Sequence, residues 1–361
     1  MKYMNCKNVS VLAAIALLLL GVTGCKKNVN IEQLEKELVG VWCDEFEYSG
    51  TTEAGTLFSK VLLAIQADAD HTGCIYLALF DDEHSEHLDV YGGPKDAGFR
   101  WQLLGDGSVE LSDPASGEST VLTRSDSGND SNYGDNMTNV SATNVTYDNG
   151  TMTVSNGSYS GTLQKANAGR RAVIGKMAAA LQHKELQEAT SEDLGKVIGA
   201  DGRIYETSAD ATDSGTTAVA VIAYKNNDVF TDYIYMAISI NDEFNGDRVT
   251  WYTANDSIGG KAAIKGGMWA FPTRNQWKTL LVANGGDEKS WAGLNAVITK
   301  AGGTALRYEL YGYWTSSADS KLGDRWVSEM KQFGDEVIFQ DMPKDYKDFV
   351  RYFIIFFALP N

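Results

Sequence analysis

Residue types able to do chemistry are present in this chain, but they do not converge. The densest group of metal-capable side chains is Asp81-Asp82-Glu83-His84 with Glu86 and His87. A stable site for a borderline metal would need a third imidazole or a cysteine, so this run is expected to solvate an exposed strand end. Asp68-Ala69-Asp70-His71-Thr72-Gly73 imitates the opening of a calcium-binding EF-hand loop. Its twelfth position is Leu79, where a bidentate Glu is required, and strand-like segments flank it, so it reads as a hairpin turn. There is no Gly-x-x-x-x-Gly-Lys-Ser/Thr and no strand-linked Gly-x-Gly-x-x-Gly to cradle phosphate. No Gly-x-Ser-x-Gly elbow is present, and His183 has no evident nucleophile to serve. Paired carboxylates for glycan hydrolysis could be drawn from the 48 acidic residues, but spacing alone selects none of them. The expected catalytic, metal and cofactor sets are therefore empty. What stands out instead is aromatic: of the eight tryptophans, six lie between Trp251 and Trp326. Aromatic side chains bury large areas at low entropic cost and favour recognition surfaces as well as cores.

The chain carries four cysteines, and their surroundings differ. Lys2 and Lys7 precede the apolar run Val11–Leu20, which ends at Gly21-Val22-Thr23-Gly24-Cys25. A basic start, a short apolar core and a small-residue cleavage site describe a signal peptide. At about 10 residues the run is roughly half of what a bilayer-spanning helix needs. Val22-Thr23-Gly24-Cys25 resembles a lipobox, the bacterial lipoprotein signal in which cleavage before the cysteine follows attachment of diacylglycerol to its sulfur. The resemblance implies that residues 1–24 are removed and that Cys25 carries the lipid. Stable anchoring takes two acyl chains or more. Cys6 leaves with the signal, so Cys43 and Cys74 remain, either as a disulfide or as two buried thiols. The formal net charge is −17, and cleavage removes only positive residues. So acidic a chain, without a basic patch, is not expected to bind nucleic acid.

A mature chain of about 335 residues suggests two domains. Ile31, Leu34 and Leu38 fall on one helical face, which Gly40 ends. Short runs rich in β-branched and aromatic residues follow from Val41 to Leu163, with Asp106-Gly107 and Asn149-Gly150 as hairpin signals. Their spacing predicts an antiparallel barrel or sandwich. Leu38-Val39-Gly40-Val41-Trp42 and the later Phe99-Arg100-Trp101-Gln102-Leu103 resemble the small lipocalin-like domains of bacterial lipoproteins, over residues 35–166. Residues 125–141, rich in Ser, Asn, Asp and Gly, read as a hairpin loop. Residues 167–193 read as a helical connector, with Val173, Ile174, Met177, Ala178 and Leu181 at helical spacing.

The second domain is expected over 194–361. Thr273 and Gln276 have the spacing of a reciprocal helix cap, and Trp277, Leu280 and Leu281 fall on one face before Asn284-Gly285-Gly286. A second helix is expected over 290–300. Phe271-Pro272-Thr273 through Trp277, then Tyr313-Trp314-Thr315-Ser316, Trp326 and the terminal Val350-Arg351 resemble, in order, the motifs of bacterial C-type lectin-like domains. These include the Fibrobacter major paralogous, sulfatase-modifying and retroelement-diversified receptor groups. The whole chain then reads as α+β, a lipocalin-like antiparallel β-barrel domain followed by a C-type lectin-like one.

The oxygen-using branch of that family places copper-binding cysteines in the C-terminal part, and no cysteine follows Cys74. Calcium-dependent sugar motifs are also missing; Thr253-Ala254-Asn255-Asp256 is a poor substitute. The resemblance puts the variable ligand face on residues 315–325 and 340–346, with Thr315, Ser317, Asp319, Lys321, Asp324, Arg325, Asp341 and Tyr346 as candidates. Trp277, Trp314 and Trp326 are expected in the core. The expectation is a non-enzymatic, lipid-anchored protein of the bacterial cell envelope, at the outer membrane, that binds a protein or a glycan. A glycan-acting enzyme and a structural subunit pairing through the apolar strand at 350–359 are the alternatives.

Overall fold

A computed structural model describes residues 31–52, 55–80, 87–104, 109–114, 117, 119–122, 143–148, 151–156, 159–226, 234–285, 288, 290–307, 311–318, 326–333 and 336–358. Cys25 and the expected signal peptide, residues 1–24, lie outside them. Two compact units form: residues up to 53 with Leu57–Leu181, and Gln182–Asn361 with Ala54–Thr56. The segment 167–193, expected as a connector, is divided between the two. No helix among the described residues is long and apolar enough to cross a membrane.

The first unit begins with helix α1 (Ile31–Leu38). Ten strands follow: β1 (Gly40–Thr51), β2 (Leu57–Ala67), β3 (Thr72–Phe80), β4 (Asp89–Gly92), β5 (Gly98–Leu103), β6 (Val109–Ser112), β7 (Ser119–Leu122), β8 (Thr143–Asp148), β9 (Thr151–Asn156) and β10 (Tyr159–Lys165). Helix α2 (Gly93–Ala97) joins β4 to β5, and helix α3 (Ala168–Ala180) closes the unit. The strands form one antiparallel sheet in the order β7-β6-β5-β3-β2-β1-β10-β9-β8, with β4 beside β3. First and last strands meet, because β1 pairs with β10. The ladder does not close, however: among the described residues β7 and β8 end the order unpaired with each other. The expected barrel is thus an open sheet. Strand spacing predicts how many strands there are, but closure depends on whether the two end strands bond, which spacing does not encode.

Two-sided burial explains why β2 and β3 read as nearly continuous apolar runs. Val61, Leu63 and Ile65 with Ile75, Leu77 and Leu79 face one cluster that includes Trp42, Phe99 and Trp101. Their alternates Leu62, Ala64, Cys74, Tyr76 and Ala78 face a second cluster, covered by Ile174 and Met177 of α3. Side chains two apart share a face, so the two sets separate strictly by parity. Gly40, at φ 135°, turns the chain from α1 into β1 in a conformation that strains any other residue. Trp42 Nε1 then donates to the Leu38 carbonyl at 2.9 Å, fixing the helix end to the sheet.

The calcium-loop imitation is a turn between β2 and β3. Asp70 accepts from the Thr72 N–H at 3.0 Å and its hydroxyl at 2.6 Å, which holds the carboxyl below its usual range. His71, at φ 65°, stacks on Trp101 and reaches Glu35 of α1 at 2.8 Å. Among the described residues, no three His, Cys, Asp or Glu side chains are grouped to hold a metal. His84 lies outside them, and His87 is buried rather than solvated, contrary to the reading of that charge run.

Cys43 and Cys74 are free and buried, so the disulfide is not formed. Cys43 pairs with Ala64 of β2, and Cys74 with Gln66 of β2, so a whole strand lies between them. Two strand spacings come to about 9.5 Å, beyond the ~7 Å Cα limit for a bridge. Burial raises the pKa of both thiols, which keeps the reactive thiolate scarce.

The second unit contains α4 (Ser208–Asp213), α5 (Trp251–Ser257), α6 (Arg274–Gly285) and α7 (Ala292–Lys300). Its strands are β11 (Val197–Gly199), β12 (Ile204–Tyr205), β13 (Ala218–Lys225), β14 (Tyr235–Ser239), β15 (Val249–Thr250), β16 (Gly267–Ala270), β17 (Tyr313–Ala318), β18 (Trp326–Phe333), β19 (Glu336–Pro343), β20 (Lys347–Asp348) and β21 (Phe353–Phe356). The main sheet runs β12-β11-β13-β14-β21-β16. Strand β21 is flanked on both sides, by β14 and β16, so the apolar terminal strand offers no free edge for assembly. Phe353 faces the α6 and α7 core, while Ile354 and Phe356 face a second cluster with Leu186 and Ile264.

Helix α6 starts as its residues predict. Thr273 Oγ1 accepts from the Gln276 N–H at 3.1 Å, and the Gln276 side chain accepts from the Thr273 N–H at 2.8 Å. Trp277, Leu280 and Leu281 are fully buried. At the centre of the unit, Arg351 donates from Nε to Asp242 at 2.6 Å and from its terminal nitrogens to the carbonyls of Ser239 and Thr304. Asp242 also accepts from Arg307 Nε at 3.0 Å and from the Tyr313 hydroxyl at 3.1 Å. Arg351 has no exposed surface, and the Asp242 side chain almost none.

Two outcomes are expected. Iodoacetamide followed by peptide mapping will label Cys43 and Cys74 in the native protein at least tenfold more slowly than in guanidinium chloride, and equal rates would contradict their burial. Arg351→Met will cost about 3 kcal/mol in urea denaturation, because it removes the enclosed cation from a buried carboxylate and leaves it to the part-exposed Arg307 and to Tyr313; a change below about 0.5 kcal/mol would show that those two partners suffice for Asp242.

Candidate functional site

One side of the second unit is built from two small sheets. Strands β17, β18 and β19 pair in sequence order, and the ribbon of β15 and β20 lies against them. Trp314 Nε1 donates to the Val249 carbonyl in β15 at 2.8 Å, tying the ribbon to the sheet. Trp314, Val327, Val350 and Tyr352 form the enclosed cluster there, with Val249, Trp251, Phe271 and Met342 packed at its margin. Trp314 therefore belongs to the core, as expected, and Trp277 does too.

Beneath the ribbon sits a pair of carboxyl groups, Asp348 of β20 and Glu329 of β18, both sealed from solvent. Asp348 Oδ1 accepts from the Gly312 N–H at 3.1 Å. Glu329 Oε1 accepts from the Gln340 amide and lies 3.4 Å from the Lys331 ammonium. The remaining oxygens, Asp348 Oδ2 and Glu329 Oε2, have no protein donor. Burial, reinforced by Glu329, pushes the Asp348 carboxyl up to about 9, so its neutral form can direct a proton toward Glu329. The pair thus acts as a hydrogen bond that joins ribbon to sheet.

On the outer side the ribbon carries aromatic rings and cations. Thr250 caps α5, accepting from the Thr253 N–H, and so brings Trp251 and Tyr252 into the first turn. Trp251 Nε1 donates to the Thr315 carbonyl at 2.8 Å, and its backbone N–H to the Lys344 carbonyl at 3.0 Å. The Lys344 ammonium stands 4.1 Å from the centre of the Trp251 ring and 6.0 Å from that of Tyr252. Trp251 also stacks against Phe271. Two residues beyond Lys344 in the same turn, Tyr346 packs on Tyr311, whose face is covered by the Arg248 guanidinium at 3.4 Å. Tyr252 and Tyr346 are 49% and 42% exposed, the large apolar residues this strip presents to solvent.

The residues selected from sequence are only partly brought together. Thr315 is not on a ligand face: it is fully buried, donating to the Ser328 carbonyl and accepting from the Ser317 N–H. Its strand runs under the Trp251 ring, and that packing needs its hydroxyl for the backbone. Ser317 accepts from the Arg274 N–H at 2.9 Å, so its hydroxyl serves the start of α6. Asp341 lies in β19, opposite Ser328, and is half-buried. Tyr346 is on the exposed strip. Asp319, Lys321, Asp324 and Arg325 lie outside the described residues, as does the Trp326 side chain. Sequence reasoning missed Trp251, Tyr252, Lys344 as a ring partner, Arg248 and Tyr311. Thr250 with Thr253 was the legible signal for α5, and the neighbouring aromatics gave no hint that cations from elsewhere would cover them.

A separate open hollow of about 390 Å³ lies between β13, α6 and α7, lined by Leu194, Tyr224, Lys225, Asn284, Val297 and Lys300 among others. It contains no carboxylate. Comparison with known protein families, with characterised proteins and with solved structures finds no match.

The raised Asp348 carboxyl sets a pH dependence. A carboxyl whose pKa rises on folding stabilises the fold fully below its unfolded value near 4, and that contribution is lost as pH rises toward about 9. Asp348→Asn keeps the acceptor for Gly312 and supplies a donor for Glu329 without a titrating proton. Unfolding free energies of the second unit from urea denaturation between pH 5 and 8 will fall less steeply in Asp348→Asn than in the native chain, by up to about 1.4 kcal/mol per pH unit. Parallel profiles would mean that Asp348 is ionised in the fold.

Proposed function

We propose that this chain is a bacterial envelope lipoprotein, anchored through a lipid on Cys25 at the outer membrane, that recognises a protein or glycan without catalysing a reaction. The first unit is read as a lipocalin-like domain, supported by the meeting of β1 with β10 around a Gly40-x-Trp42 start. The second is read as a C-type lectin-like domain. Its support is the reciprocal cap at Thr273 and Gln276, the enclosed Trp314, and the internal position of the strand that follows Val350-Arg351. The observation that carries the recognition reading is the exposed aromatic and cationic strip of the second unit, at Trp251, Tyr252, Lys344 and Tyr346. Rigid aromatic faces beside adaptable polar groups are what recognition surfaces use. The acidic groups buried nearby are enclosed, so they do not suggest a hydrolytic pair.

The anchor is tested by fractionating cells that express Cys25→Ser, which is expected to be soluble while the native chain sediments with membranes. Retention of the variant in the membrane would overturn the anchoring claim. The soluble variant, immobilised and screened against envelope proteins and glycans, is expected to retain a partner. Hydrolysis of an envelope polysaccharide with no retained partner would replace recognition by catalysis.

A further inference from the structure

The strip over β15 and β20 carries cations that the rest of this acidic chain would be expected to neutralise, yet does not. Among the described residues, no carboxylate lies within 4 Å of the Lys344 ammonium or the Arg248 guanidinium. Both sit on aromatic faces instead: Lys344 over Trp251 and Tyr252, Arg248 over Tyr311. An aromatic face attracts a cation without taking up its capacity to donate hydrogen bonds to an anion. By contrast, Lys261 over Trp269 is bound to Glu243 at 2.7 Å, and Lys278 beside Phe339 is bound to Glu288. Lys165, Lys225 and Arg274 also rest near rings without a carboxylate partner among the described residues, but Lys344 and Arg248 are the ones placed in the same strip as the exposed Tyr252 and Tyr346.

The shape and composition of the strip bear on what can approach it. Its exposed large apolar residues are two tyrosines, Tyr252 and Tyr346, with no exposed Leu, Ile, Val or Met among them. A protein interface concentrates its energy in desolvated apolar pockets, whereas the large side chains exposed on this strip are phenols that each carry a hydroxyl. A pyranose ring has a flat C–H face that stacks on a phenol or indole and a rim of hydroxyls for donors and acceptors. Acidic residues also fix the limits: Asp247 and Asp345 are exposed beside Arg248 and Lys344. The strip therefore suits an isolated carboxylate rather than a polyanion. The net charge of −17 does not exclude such a ligand, because charges more than about 8 Å away are largely screened at physiological salt whereas a contacting ammonium is not.

Resting on the recognition reading above, we infer that the strip formed by Trp251, Tyr252, Lys344, Tyr346, Tyr311 and Arg248 is a carbohydrate site for an oligosaccharide with a single acidic sugar. The sugar rings stack on Tyr252 and Tyr346, and the carboxylate is held by Lys344, which stands over Trp251 and beside Tyr252. Binding requires no metal in this arrangement.

The test uses the soluble Cys25→Ser full-length chain on an array of sialate-, uronate- and muramate-terminated oligosaccharides, each paired with its neutral counterpart. Acidic members are expected to bind at least tenfold more strongly than their counterparts, unchanged by a chelator. Tyr252→Ala and Lys344→Gln, each with an unaltered thermal midpoint, are expected to lower that binding at least tenfold. Equal binding of neutral counterparts, loss with chelator, no bound glycan, or binding indifferent to both substitutions would overturn the inference. If no glycan binds but an envelope protein does, and both variants still hold it, the carbohydrate site is wrong and recognition stands. If the chain retains neither, both fail.

Discussion

The Arg351 guanidinium is wholly enclosed, so each of its three nitrogens must find an acceptor inside the protein or cost the desolvation of a charge. Asp242, Ser239 and Thr304 supply those acceptors, and Asp242 in turn holds Arg307 and Tyr313. One residue before the last long strand thereby fixes the end of β14, the segment after α7 and the start of β17. Buried ion pairs are weak net stabilisers, but they are intolerant of misalignment, because a displaced partner leaves a charge unpaired. With β17 fixed, Trp314 meets Val249 and the ribbon of β15 and β20 has a defined seat.

The ribbon is held by different chemistry on its two sides. Underneath, the Asp348 carboxyl, raised by burial and by Glu329, lies sealed from solvent, and Trp314 supplies packing and a directional bond. Above, cations rest on aromatic faces and keep contact with water. A short two-residue pairing could not fix exposed rings by itself, since two-stranded ribbons are marginal in water. The buried side provides the rigidity that the exposed side uses, which is how a recognition surface avoids losing binding energy to side-chain ordering.

Parity governs the first unit. Strands β2 and β3 are buried on both faces, one by the strand-lined cluster around Trp42 and Trp101, the other by α3. This places Cys43 and Cys74 on the same face as Ile174 and Met177, with β2 between them. The helical spacing at Val173, Ile174, Met177 and Leu181 was legible in the sequence. Its target, the outer face of β2 and β3, was not, because an apolar stripe states that a partner exists without naming it.

The sequence by itself determined those features whose cause is local. The reciprocal cap of Thr273 and Gln276, the buried face of α6, the turn at Asp68 to Gly73, and the two-unit, antiparallel α+β character all follow from residues within a few positions of one another. So does the apolar run before Cys25, which rests on the sequence alone. Tertiary structure decided whatever depends on pairing across long separations. Among the described residues it left β7 and β8 unjoined, put a strand between the two thiols, buried Thr315, and set β21 between two neighbours. It also brought Lys344 over Trp251, 93 positions earlier. The physical reason is the same in each case: a side chain's type fixes what it can bond to, while the partner it meets is fixed by strand order and register, which no short window of sequence contains.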